Sequence, residues 1–239
     1  MVNRYQHSKL EKLSYQLAPG RCILCERASQ RHLDLCQNCE IELPWLGSHC
    51  ISCALPLPEY TLPTLCGNCL QRPPNFHKCI CALRYDFPVD RLIAGFKHRR
   101  KLTFGAVLCN LWLDQCLSQI DTKPDALVPV PIHWRRRMTR GFNQSLFIAN
   151  ELGTNLSIPI YHAIRHPNAT RSQQGLNAAE RRKNLRHAFT FSNAYNIKGK
   201  HLAVIDDVIT TTATANTVAA ILARNGAARV DIWSLARTP

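Results

Sequence analysis

The chain has 239 residues, with 30 Lys and Arg against 16 Asp and Glu, a length that suits one domain of ordinary size and a small companion. Its formal net charge of +14 favours an anionic partner. No apolar run approaches the ~18 residues of a membrane span, which speaks against membrane insertion.

The first residues, MVNRYQHSKLEKLSYQL, carry charges throughout and lack a long apolar centre. They read as no signal peptide, so the expected location is the cytoplasm, where structural disulfides are rare. Yet there are 12 cysteines, and ten of them precede residue 82. Eight form four Cys-x-x-Cys pairs: Cys22 with Cys25, Cys36 with Cys39, Cys50 with Cys53, and Cys66 with Cys69. A Cys-x-x-Cys turn brings two thiolates to one side of an ion, and a second turn completes a tetrahedral sulfur shell. Eight such residues make two structural zinc sites. Sequential pairing is the simplest arrangement, with cross-bracing as the alternative. A redox role fits four tandem pairs poorly, because it needs one pair at a helix start. The segment has few large apolar residues, so zinc would supply much of its folding free energy. Its charge is near neutral, with 8 Lys and Arg against 6 Asp and Glu in residues 1–80. The basic excess therefore belongs to the remainder of the chain.

After Pro73 and Pro74 the pattern changes. CALRYDFPVDRLIAGFKHRRKLTFGAVLCNLWLDQCL reads as a strand, a turn at Pro88 and two helical stretches, with the basic patch Lys97–Lys101 between them. Cys109 and Cys116 fall on the apolar face of the second stretch, as packing residues. ALVPVPI, residues 126–132, reads as a buried strand, FNQSLFIANELG as a helix, and a short strand is expected near Ile160. HLAVID, residues 201–206, is a second buried strand; TANTVAAILARNG is a helix closed by Gly226; ARVDIWSLAR is the last strand. Strands alternating with helices predict an α/β domain, a parallel sheet with helices on both faces. The expected boundaries are a zinc-ribbon domain over residues 1–78 and the α/β domain over 79–239.

The stretch AVIDDVITTTATANT crosses the junction of the second buried strand and its helix. Ligands of such sheets sit beyond the carboxyl ends of the strands, where a helix N-terminus offers unpaired N–H groups and the positive end of its dipole. The Thr-rich turn over residues 210–214 can wrap a phosphate. Asp206 and Asp207 can accept hydrogen bonds from vicinal hydroxyls. A diol beside a phosphate describes a ribose 5-phosphate. Taken alone, the same residues would also make a solvated loop with a threonine capping the helix.

VIDDVITTTATA resembles the phosphoribosyl pyrophosphate motif of type I phosphoribosyltransferases. The chain from about Pro19 onward resembles the ComF/GntX family of competence proteins. The resemblance is carried by the cysteine pairs, LPWLG, YDFPVDRLIAGFKHRRK, VPVPIHWRRRMTRGFNQS, a Gln-rich stretch before RRKN, and the ending SLART. It implies a type I phosphoribosyltransferase-like fold. It also implies phosphoribosyl pyrophosphate, or a related ribose phosphate, bound with magnesium. Asp206 and Asp207 would contact the ribose hydroxyls directly or through magnesium. Thr210, Thr211, Thr212, Ala213 and Thr214 would form the 5-phosphate loop. Arg137, Arg140 and Gly141 would face the pyrophosphate, on which charge grows as the anomeric bond breaks. Residues 171–184 would form a hood over the ligand, with Gln174, Arg181 and Asn184 near it. Two departures stand out. Relatives carry glycine where this chain has Thr212, and Thr210 replaces the acid that serves as base in several nucleobase-salvage enzymes of the superfamily.

Three functions fit this reading. One is pentosyl transfer to an acceptor. Another is a binding module whose basic face takes single-stranded DNA or a competence helicase during DNA uptake. The third is an adaptor docked through its ribbons. The clusters Lys97–Lys101, Arg135–Arg140 and Arg181–Arg186 serve the first two equally. Few aromatics interleave with these clusters, and Trp134 and Phe142 read as core by default.

Overall fold

The structure is a computed structural model, and it describes residues 20–132, 141–166 and 188–239. Contacts group the residues up to Leu43 into one compact unit and Pro44–Pro239 into a second. The contact boundary thus differs from the compositional one at residue 78. The reason is that the second pair of cysteine knuckles packs with the sheet, as set out below.

In the first unit, Arg21 and Ala28 bridge antiparallel around the first knuckle, and helix α1, Gln37–Ile41, follows Cys36. Leu33 and Leu35 are its buried apolar side chains beside the cysteines, together with Leu43. Such a core is small for 24 described residues, and it fits a fold that relies on a metal.

The second unit opens with the residues that cover a sheet edge. The Leu46 N–H donates to the Ala82 carbonyl at 3.0 Å, and the Arg84 N–H donates to the Pro44 carbonyl at 2.8 Å. Trp45 bridges Leu83 antiparallel between them. The phrase LPWLG therefore lies along the free side of strand β1, Cys79–Arg84. Helix α2, Gly67–Gln71, closes the last knuckle. Beyond β1 come α3 (Val89–Arg99), α4 (Leu102–Cys116), β2 (Ala126–Pro129) and α5 (Gln144–Leu156). The chain continues through β3 (Ile164–Arg165), β4 (Thr190–Phe191), β5 (His201–Ile209), α6 (Ala213–Arg224) and β6 (Arg229–Arg237).

The main sheet has the order β1-β6-β5-β2, and all its pairs are parallel. The strand expected near Ile160 is a single parallel bridge to Leu127, on the outer side of β2. Side chains alternate between faces as strand geometry requires. On one face Val128, Val204, Ile232 and Cys79 lie in register and share a buried cluster with Val218, Ala219 and Leu222 of α6. Cys50, Cys53, Cys66 and Cys69 belong to the same cluster, so the second ribbon covers sheet surface beside α6. Ile164, Phe189 and Ala163 bring in the β3–β4 pair, the strands that flank residues 171–184. On the other face Ile205, Trp233 and Ile80 are aligned under Trp112 of α4, whose ring centroid lies 4.9 Å from that of Trp233. Both tryptophans are fully buried, which contributes several kcal/mol each by area. Cys109 and Cys116 are buried in this layer, as expected.

Helices thus lie on both faces, and the changeover positions the site. The β2–α5–Ile160 connection runs outward with α5 on the tryptophan face, where Gly153 meets Leu127. The β5–α6–β6 connection runs the other way with α6 on the opposite face. The two part company between β2 and β5, the point in an open α/β sheet where a crevice forms at the carboxyl ends.

Candidate functional site: an acid pair and a left-handed turn

Strand β5 runs to Ile209, three residues farther than its apolar stretch predicts. Asp206 and Asp207 are therefore strand residues, because Asp206, Val208 and Ile209 still pair with Ser234, Ala236 and Arg237 of β6. On the other side β2 has ended, since its last residue, Pro129, pairs with Ile205. The acids stand beyond β2 while supported by β6, at the crevice.

Each carboxylate has defined partners. Lys97 Nζ, in the last turn of α3, lies 2.9 Å from Asp207 Oδ1, and both side chains are largely buried. The Asp207 N–H donates to Asp206 Oδ1 at 2.9 Å, and Ser145 Oγ donates to the same oxygen at 3.3 Å. Burial, then the adjacent Asp207 charge, pushes the Asp206 carboxyl up to about 7. Two neighbouring carboxylates with one lysine leave the pair short of positive charge, a setting that favours a proton, a divalent cation or a hydroxyl donor.

Ser145 comes from RGFNQS, so the two sequence motifs meet in space. Asn143 caps α5 by accepting from the Ser145 N–H at 3.0 Å, and its amide donates to the Val130 carbonyl at 3.1 Å. Val130 in turn donates its N–H to Ile205 at 3.0 Å. Gly141 has φ +79°, and a Cβ there would fall 1.7 Å from Arg100 Nη2. The positive φ favours glycine there, and the RGFNQS turn sits under the guanidinium of Arg100, a residue of the Lys97–Lys101 patch. A cleft of about 690 Å³ opens beside it, lined by Arg100, Pro131, Gly141, Asn143 and His162, with the acid pair outside its lining. Arg137 and Arg140 lie outside the described residues, as do Gln174, Arg181 and Asn184.

After Ile209 the chain turns over Thr210–Thr212 and enters α6 at Ala213. Thr210 and Thr211 are exposed; Thr212, Ala213 and Thr214 are half-buried. Thr212 has φ +60° and ψ −1°, a left-handed conformation that a β-branched residue rarely adopts. Its hydroxyl donates to the Thr211 carbonyl at 2.6 Å instead of capping the helix. The first N–H groups of α6 accordingly have no intrahelical acceptor and face the same end of the sheet as the acids.

The eight ribbon cysteines form two groups, Cys22, Cys25, Cys36 and Cys39, and Cys50, Cys53, Cys66 and Cys69, with all sulfurs of a group within 4.8 Å of one another. Pairing is sequential. The Cys25–Cys36 and Cys53–Cys66 sulfur separations are both 3.7 Å, close to the ~3.8 Å edge of a tetrahedron with Zn–S bonds of ~2.3 Å. Burial raises the Cys22 and Cys50 thiols, but backbone N–H groups of their own knuckles and of the facing knuckle, Cys36 for the first and Cys66 for the second, outweigh it and bring them to about 6 and about 7. The donor sets therefore fit zinc. They differ in setting, because all four cysteines of the second group are buried and only Cys22 of the first is.

Sequence reasoning read Lys97 only as one member of a basic patch and missed its pairing with Asp207, and it missed Ser145, a serine with no motif role of its own. It also missed Arg237, treated below. Phe142 packs edge-to-face on Phe96 with centroids 5.3 Å apart, as a core side chain would.

Comparison with known proteins agrees with this organisation. The family model for a double zinc ribbon domain matches residues 14–82. The chain is 35% identical over 226 residues to the DNA utilization protein YhgH of Escherichia coli O157:H7, covering 92% of this chain and 98% of that one. It is 30% identical over 235 residues to competence protein F of Haemophilus influenzae, covering 91% and 96%. Among solved structures, a purine phosphoribosyltransferase from Pyrococcus horikoshii Ot3 covers 66% of this chain and 87% of its own at 17% identity. Its TM-score of 0.33 is too low to carry weight.

Proposed function

This chain belongs to the ComF/GntX family, with DNA utilization protein YhgH and competence protein F, and from that premise we propose that it binds phosphoribosyl pyrophosphate, or a related ribose phosphate, in the service of DNA uptake and use. The observation that carries the reading is the junction of β5 and α6. Two acids with a deficit of positive charge stand at the crevice between β2 and β5. A left-handed turn and a helix N-terminus follow within six residues. The acids suit the ribose hydroxyls, and the N–H groups of residues 213–214 suit the 5-phosphate. Arg137, Arg140 and Gly141 are assigned to the pyrophosphate, and residues 171–184 to a hood that excludes water. Magnesium, when bound with the ligand, would neutralise phosphate oxygens beside Asp206 and Asp207. Lys97 holds Asp207 in place meanwhile.

Binding is better supported than pentosyl transfer. Thr210 is exposed and offers no carboxylate, so an acceptor requiring deprotonation has no base at that position. A ligand-gated adaptor for single-stranded DNA or a competence helicase, using the basic face that includes the exposed residues His98–Lys101, is the second reading. The net charge of +14 favours it. Calorimetry with zinc-loaded protein, phosphoribosyl pyrophosphate and magnesium tests the first reading; saturable heat is expected, and its absence removes the pocket. The turn offers a finer check. Thr212→Gly relieves a left-handed β-branched residue and is expected to raise stability by about 1 kcal/mol. It is also expected to tighten ribose 5-phosphate binding several-fold, read by melting and by titration. Weaker binding would mean that the Thr212 methyl or hydroxyl shapes the cradle.

A further inference from the structure

The last residue of β6 is a buried arginine that the site's chemistry does not use. Arg237 is 4% exposed. Its Nε donates to the Cys53 carbonyl at 3.1 Å. Its Nη1 donates to the carbonyls of Ile209 at 3.2 Å and Thr238 at 2.7 Å, and also to that of Thr210. Cys53 is a member of the second cysteine group, while Ile209 and Thr210 are the end of β5 and the start of the turn into α6. One guanidinium therefore reaches from the backbone of a metal ligand to the root of the proposed phosphate turn. The knuckle is fixed to the sheet next door as well, since the Cys79 N–H donates to the Ser52 carbonyl at 2.7 Å.

Charge supplies the second strand of the argument. These carbonyls accept from Nε and Nη1 but bring no net negative charge, and a buried cation needs compensation. Among the described residues no carboxylate forms an ion pair with Arg237. Four thiolates around a divalent zinc leave a formal net charge of about −2 at the group that contains Cys53. Filled, the tetrad would supply counter-charge to the arginine as well as anchor its Cys53 acceptor.

We propose that Arg237 is a positioning residue that couples metal occupancy of the Cys50–Cys53–Cys66–Cys69 group to the geometry of the Thr210–Thr212 turn, so that ribose-phosphate affinity depends on a metal that never touches the ligand. With the metal bound, Cys53 is fixed and Arg237 draws the Ile209 and Thr210 carbonyls toward the protein interior. That leaves the following N–H groups facing the crevice. With the metal gone, the knuckle loosens and the arginine loses both its anchor and its compensation. The inference rests on the reading of that turn as a ribose 5-phosphate site.

Amide hydrogen exchange over residues 209–216 of the zinc-loaded full chain tests the coupling without requiring any ligand. Arg237→Lys keeps the charge but cannot span Cys53 and Thr210, and Cys66→Ser opens the second group. Each is expected to speed exchange at the turn by ~10-fold, and the double variant is expected to add little, because both break one linkage. Cys36→Ser, in the first group, should leave the turn unchanged. Protection of Ala203–Ile205 in β5 serves as the control for an intact sheet. If Cys66→Ser fails that control, the reverse direction decides. Saturating ribose 5-phosphate should slow zinc transfer from the second group to a chromogenic chelator in wild type, and not in Arg237→Lys. Additive effects, a turn indifferent to Cys66→Ser, or equal slowing in Arg237→Lys would overturn the coupling. Failure of wild type to bind ribose 5-phosphate would instead remove the pocket reading, and the exchange results would still judge Arg237.

Discussion

At pH 8, Asp206→Asn is expected to melt higher than wild type while losing ribose-phosphate binding. Burial and the neighbouring Asp207 charge raise the Asp206 carboxyl to about 7 in the folded protein. Its unfolded value is near ~3.9, so the folded state holds the proton more tightly. Below about pH 4 both states are protonated and the group contributes no difference. Between about pH 4 and pH 7 the unfolded chain ionises first, and wild type loses stability steadily. Above 7 that loss is complete. The asparagine has no such slope. The gap should be about 4 kcal/mol at pH 8, roughly 8–16 °C in Tm for a domain of this size, and should close near pH 4. Binding should fall by at least ~100-fold, since each charged hydrogen bond to a diol hydroxyl contributes ~1.5–3 kcal/mol. Asp207→Ala should lose binding too but destabilise, because it strands the largely buried Lys97 ammonium. Melting curves at pH 4.5 and pH 8 beside calorimetry check both halves. A variant that binds normally would mean the acid pair does not hold the sugar.

Removing the second metal is expected to have the larger effect on the fold. Elemental analysis should find two zinc ions per chain. A chelator should withdraw the first rapidly, because Cys25 is exposed, and the second slowly, because its four ligands are buried. Cys66→Ser should lower the Tm of the sheet unit by roughly 6–12 °C, at least ~3 kcal/mol, since the same buried cluster joins that group to Val204, Ile232 and Leu222. Cys36→Ser should move that transition far less, its ligands belonging to the other compact unit. Equal shifts from the two variants would show that the second group is no more a part of the core than the first.

The sheet, its parallel sense and the helices on both faces were legible because Ala126–Pro129, His201–Ile205 and Arg229–Arg237 are apolar runs of strand length separated by periodic stretches. The end of β5 was not legible. Two acids and a threonine-rich turn look like loop, and only pairing with Ala236 and Arg237 keeps Val208 and Ile209 extended. Metal ligands were readable from spacing alone, but their pairing order needed coordinates. The glycine-like demand at Thr212 was foreshadowed by the family pattern and corresponds to φ +60°. Lys97 and Arg237 were out of reach for a common reason. Each is a cation that owes its burial to a partner distant in sequence, Asp207 in one case and Cys53 in the other. Composition alone assigns such residues to solvent.

The backbone of Pro44–Leu46 along the free side of β1 bears on how the protein can be dissected. A fragment starting at residue 79 would bare a row of unsatisfied amides next to a thiol-lined apolar surface, the combination that templates aggregation. Starting at Pro44 keeps that margin sealed. A fragment cut there is expected to self-associate through that bared margin, whatever partner is supplied.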